Sequence, residues 1–225
     1  MLRSIFRMIY PICCPSCGNA RLETDGFICA HCSVHLLKTN FHRWTKNPVL
    51  ERFMGRIKLV SATSFLYFIK GGITQKLMFD LKYRGRKAIG LNLGEIYGRD
   101  LMKSTFADTM DLIIPVPLHE DKFKKRGYNQ SERFAEGLSH SMNKRVDLNT
   151  LMRITSSETQ TRKTRFARWK NVSEIFAINP INDLAGKHIL LVDDVITTGA
   201  TLEAAARELY KIPDIKISIA TIACA

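Results

Sequence analysis

The chain has 225 residues, 45% of them hydrophobic and 24% charged, which argues against a disordered protein and fits one ordinary domain plus a small accessory module. Its formal net charge of +13 points to an anionic partner (nucleic acid, a membrane surface or a polyphosphate metabolite) unless the charge is merely a solvated surface. No apolar run is long enough to span a bilayer, and the stretch between Arg7 and Pro11 is too short for a signal peptide, so a cytoplasmic location is expected.

Five of the six cysteines lie between Cys13 and Cys32. Cys14-x2-Cys17, eleven intervening residues and Cys29-x2-Cys32 form two knuckles, each able to turn both sulfurs toward one ion. A doubled knuckle predicts a closed, structural four-cysteine Zn2+ site; a redox pair is expected once, within a βαβ unit. A module this small cannot bury a core of its own, so metal takes the core's place. Cys13 offers a three-residue spacing in place of Cys14. His31 and His35 are nearby, as surface residues or as outer supports of the ligands.

The zinc module is assigned to residues 1–36, a basic linker to 37–56 and the main domain to 57–225. Residues 57–68 are β-rich. Residues 73–85 place Ile73, Leu77, Met78 and Leu81 on one helical face. Residues 88–103 continue at helical spacing, although their glycines weaken the propensity. Residues 111–117 read as a buried strand ended by prolines. Asn129 and Glu132 form a capping box before a helix that carries Phe134, Ala135, Leu138 and Met142 on one face. Residues 174–178 and 189–192 are strand-like, 201–210 is a helix and 215–221 is a closing strand. This alternation predicts an α/β domain with a mainly parallel sheet.

Residues 189–201 read ILLVDDVITTGAT. With a strand before it and a helix after it, this turn lies at the carboxyl edge of the sheet, where such folds bind ligands. The amides of Thr198, Gly199, Ala200 and Thr201 are offered at a helix N-terminus, and the threonine hydroxyls add donors for an anion. Asp193 and Asp194 would repel a bare phosphate. They suit a ligand that also carries ribose hydroxyls and brings Mg2+ on its own oxygens. Those residues resemble the phosphoribosyl pyrophosphate (PRPP) motif of type I phosphoribosyltransferases. The resemblance implies that fold, PRPP contacts from Asp193, Asp194, Thr197, Thr198, Gly199, Ala200, Thr201, Pro117 and Leu118, and catalytic positions at Asp193 and Asp194. It implies the site of a transferase without settling turnover.

Three further segments, LKYRGR (81–86), PVPLHEDKFKKRGYNQSERFA (115–135) and QTRKTRFARWKNVSEIF (160–176), resemble the ComF family in the same order, behind the cysteine module. That resemblance implies a zinc finger joined to a phosphoribosyltransferase-like domain, in a family that includes a protein needed for natural transformation and DNA uptake. It also implies work beside a competence helicase or translocase. Lys122, Lys124, Lys125 and Arg126 form one basic set, and Arg162, Lys163, Arg165 and Arg168 another, with Lys170 beside it. Lys82, Arg84, Arg86 and Lys87 form a third. Three clusters exceed what one PRPP needs, and Phe166 and Trp169 either stack on bases or pack in a hairpin. Cations interleaved with aromatics are how non-specific single-strand binders work, so single-stranded DNA is the expected partner. An active Mg2+-dependent transferase acting on a nucleobase or an amine is the alternative. A glutamine-dependent amidotransferase is disfavoured, because Leu2 stands where a processed N-terminal cysteine is required.

Overall fold

Five strands make the central sheet: β1 (Ser61–Tyr67), β2 (Leu112–Pro115), β3 (Arg145–Val146), β6 (His188–Ile196) and β7 (Lys216–Cys224). Their order is β1-β7-β6-β2-β3, and every pairing is parallel. The computed structural model describes residues 13–18, 22, 27–154, 175–179 and 184–225. Central strands of a parallel sheet are covered on both faces and so read as continuous apolar runs. That is the pattern of β7, buried at every position after Lys216. The expected α/β class and mainly parallel sheet are therefore present.

The strand expected at 189–192 runs on to Ile196. Its register with β7 continues through Asp193 against Thr221 to Ile196 against Cys224, so both acids sit on the strand itself. A separate antiparallel pair joins β4 (Leu151–Arg153) to β5 (Phe176–Ile178).

Among the helices, α3 (Ile73–Tyr83) buries Leu77, Met78 and Leu81, as the spacing predicts. Next, α4 (Ala88–Leu101) is regular despite its glycines. It packs on α6 (Gln130–Met142) so closely that a Cβ on Gly94 would lie 2.9 Å from the Gly137 Cα. The glycines that lower helix propensity are thus what allows the two backbones to meet. Asn129 caps α6 by accepting from the Ser131 amide at 3.0 Å and donates to the Val116 carbonyl at 2.9 Å. The cap also fixes the loop leaving β2. Glu132 lies 3.4 Å from the Asn129 amide group, which completes the predicted pairing through side chains.

The stretch expected as a basic linker, 37–56, lies along β1. Phe41, Val49 and Phe53 are buried. Asn47 caps the short α2 (Pro48–Glu51) and donates to the Ala62 carbonyl at 2.9 Å. Its apolar residues look isolated in sequence because short turns, a single 3-10 helix (Phe41–Arg43) and α2 bring them to one side. The helix α5 (Glu120–Arg126), started by the His119 ring and ended by Gly127, was not legible within the basic loop after β2. Among the described residues, no helix is long and apolar enough to cross a membrane.

Candidate functional site

Cys14, Cys17, Cys29 and Cys32 converge, their sulfurs all within 4.8 Å of one another. Four thiolates about 2.3 Å from one Zn2+ stand ~3.8 Å apart by tetrahedral geometry. The Cys17 and Cys29 sulfurs are separated by 3.8 Å. The donor set therefore fits zinc, and it is Cys14, not Cys13, that joins it. Cys29 also caps the short α1 (Ala30–Val34), its sulfur accepting from the Cys32 amide. Burial pushes the Cys32 thiol up to about 12. Burial also works against the Cys14 thiolate, but the amides of Cys29, Cys17 and Ser16 outweigh it and lower that thiol. A Zn2+ held by the four sulfurs would let all four ionise. The module is tied to the main domain by Lys76, which donates to the Ser16 carbonyl at 2.9 Å, and by Phe27 and Ile28 packed on the core.

The turn after β6 leads into α7 (Ala200–Leu209) through Gly199, whose φ of 81° belongs to the left-handed region. Thr197, Thr198, Ala200 and Thr201 are exposed around it. The Ala200 amide points to the Thr198 hydroxyl at 3.4 Å, and no side chain caps the helix at Gly199. The helix dipole and free amides leave a positive patch suited to an anion.

The two acids just before that turn have different partners. Asp193 accepts from the Ser131 hydroxyl and from the Asp194 amide, each at 2.8 Å. Asp194 pairs with Lys82 of α3 at 3.0 Å. Burial, and then the Asp194 carboxylate, lift the Asp193 carboxyl to about 7. A ligand presenting hydroxyl donors or bringing a cation would draw the proton off. Pro117 and Leu118 follow β2 beside β6, and the Pro117 carbonyl lies 3.4 Å from the Arg153 guanidinium.

Several residues around this turn carry no motif in the sequence. Arg52 donates to the carbonyls of Ile196 (3.4 Å), Thr197 and Ala225 (2.6 Å). Arg56 donates to the Thr198 carbonyl at 3.0 Å and pairs with Glu203. Phe53 lies directly behind Gly199, where an added Cβ would stand 2.9 Å from its ring. Together they hold the turn's carbonyls from behind, which leaves its amides to face outward. Arg153, on β4, stacks over Phe176 at 5.3 Å within the field of Asp193. Only its charge type marks it in the sequence.

Of the nucleic-acid candidates, Lys122, Lys124 and Lys125 are exposed on α5. Lys124 is paired with Glu120 at 2.6 Å, and Arg126 turns inward to Gln130 at 2.7 Å and lies over Tyr83. Arg162, Lys163, Arg165, Arg168 and Trp169 lie outside the described residues.

A five-stranded parallel sheet with an acidic strand end running into an uncapped glycine turn defines a phosphoribosyltransferase-type domain. The phosphoribosyl transferase domain family matches residues 105–224, more than half of the chain. The chain is 27% identical over 202 residues to the competence protein ComFC of Bacillus subtilis, covering 88% of this chain and 78% of that one. It is 30% identical over 139 residues to the DNA utilization protein YhgH of Salmonella typhimurium, and 31% identical over 115 residues to competence protein F of Haemophilus influenzae. Those two matches span 60% and 50% of the relatives' own lengths. The chain belongs to the phosphoribosyl transferase domain family and, within it, to the ComF family.

Proposed function

We propose that the protein serves DNA utilisation of the competence type in the cytoplasm, holding single-stranded DNA on a basic face beside a pocket for PRPP with Mg2+. The observation that carries this reading is the ion pair between Lys82 and Asp194 at 3.0 Å. Lys82 belongs to the basic segment 81–87, so this ion pair joins that segment to the acid end of β6. In the pocket, the turn from Thr197 to Thr201 holds the 5-phosphate and Asp193 and Asp194 receive the ribose hydroxyls. Pro117 and Leu118 border the pyrophosphate, with Arg153 as a further cation. Mg2+ supplies charge neutralisation on the phosphate oxygens. The four cysteines hold structural Zn2+. A helicase or translocase is the protein partner that the family resemblance suggests.

The test is binding of labelled single-stranded DNA across a salt series, with and without PRPP and Mg2+. Tight binding that weakens steeply with salt is expected, since released counterions set the slope. A change of affinity on adding PRPP supports contiguity of the two sites. Absence of binding at low salt overturns the reading.

The second reading, an active transferase, is favoured by the Asp193–Asp194 pair at the mouth of an uncapped helix. Its developing positive charge at the anomeric carbon would meet carboxylates, and its leaving pyrophosphate would meet arginine and amides. Pyrophosphate release across a panel of nucleobases and amines decides it.

A further inference from the structure

Phe79 and Tyr83 sit one helical turn apart on α3 and both face water, 49% and 65% exposed. Their ring centroids are 5.2 Å apart, tilted by 49°. Each ring carries a guanidinium, Arg84 over Phe79 at 5.6 Å and Arg126 over Tyr83 at 5.4 Å. Scattered exposed aromatics need no explanation; a contiguous pair, each ring flanked by a cation, is a binding surface in composition. Phe79 also lines a groove of about 480 Å³ against the first cysteine knuckle, together with Pro15, Gly18, Lys76 and Arg84. The groove is open to solvent, and Tyr83 lies one helical turn beyond Phe79. Asp80, buried on α3, is 3.4 Å from both Arg84 and Arg86 and so steadies Arg84 at the groove.

We propose that this face of α3, walled by the cysteine knuckle, is a stacking platform for successive bases of single-stranded DNA. The inference rests on the single-strand reading above and gives it an address. Bases lie on the free faces of Phe79 and Tyr83. Phosphates run along Arg84 and Arg126 toward Lys122 and Lys125. Every base has a π-face, so such a platform accepts any sequence. A duplex, with its bases stacked on one another, has none to offer. The knuckle acquires a role as one wall of the groove, and Lys82, on the same helix, sets the platform next to the acids of β6.

The experiment compares a labelled oligodeoxythymidylate with an abasic deoxyribose-phosphate strand of the same length, by fluorescence anisotropy on the full chain. Phe79→Ala and Tyr83→Ala are each expected to weaken thymidylate binding about tenfold, the worth of one stacked base, without changing the salt slope. Binding of the abasic strand stays as in the wild type, and Tyr83→Phe restores affinity for thymidylate. Arg126→Ala weakens both strands and lowers the salt slope by about 0.7. Both aromatic side chains face solvent, so thermal melts of the alanine variants are expected to match the wild type. If the alanine variants bind thymidylate as the wild type does, or if the wild type holds the abasic strand equally well, the platform is wrong while single-strand binding stands. If the wild type binds neither strand at low salt, the underlying reading falls with it.

Discussion

At the scale of single residues, Asp193 stores a conflict. Its carboxyl is lifted from 3.8 to about 7 by burial and by Asp194, so the folded chain keeps a proton that the unfolded chain gives up. Stability from this group is therefore present at low pH and is lost as pH rises from about 4 to 7. Asp193→Asn keeps acceptors for the Ser131 hydroxyl and the Asp194 amide and removes the titration. In the ligand-free protein it is expected to gain on the order of 1–3 kcal/mol over the wild type at pH 8, and little at pH 4, read from urea unfolding at each pH. The same variant is expected to lose affinity for PRPP with Mg2+. The adjacent acids were legible in sequence because a strand, two carboxylates and a glycine turn fall within one short segment. Lys82, Ser131 and Arg153 were not legible as their partners. They come from three different elements, and only the sheet order brings them to one strand end.

At the scale of elements, the α2 segment is the part that sequence reading valued least. Residues 37–56 lack periodicity, yet Arg52, Phe53 and Arg56 form the back wall of the glycine turn. Arg52→Ala is expected to weaken PRPP binding about tenfold, because charged hydrogen bonds to turn carbonyls each contribute about 1.5–3 kcal/mol of ordering. Titration calorimetry with PRPP and Mg2+ reads the loss; unchanged affinity would mean that the turn holds its shape alone. Helices α3, α6 and α7 were legible from their apolar faces, and α4 was undervalued because helix propensity is blind to Gly137 on a neighbouring element. Two acids followed by four bases around one aromatic gave α5 no periodic signal; only its caps, His119 and Gly127, define it.

For the whole molecule, the cysteine module is joined to the main domain by Lys76, Phe27 and Ile28. Purified protein is expected to carry about one zinc per chain, as a closed four-thiolate site does. Stripping it with a chelator is expected to lower the thermal midpoint of the main domain as well as release the knuckles, since Phe27 and Ile28 lose their cover. Metal analysis and melts before and after chelation check this. A metal-free protein with an unchanged midpoint would reduce the cluster to four neighbouring thiols.

The strand order has a consequence for how the chain is made. Among the described residues, β1 has no neighbouring strand in the main sheet except β7, and β7 stands between it and β6. On the ribosome, β1 emerges long before the strand it must pair with. Until then the edge that takes β7 is open, and the turn that Arg52 and Arg56 hold follows a strand lacking this neighbour. Such long-range pairing is slow and exposes apolar strands while it waits. Completion of the sheet beside the glycine turn thus waits for β7, so chains cut short before β7 are expected to stay incompletely folded.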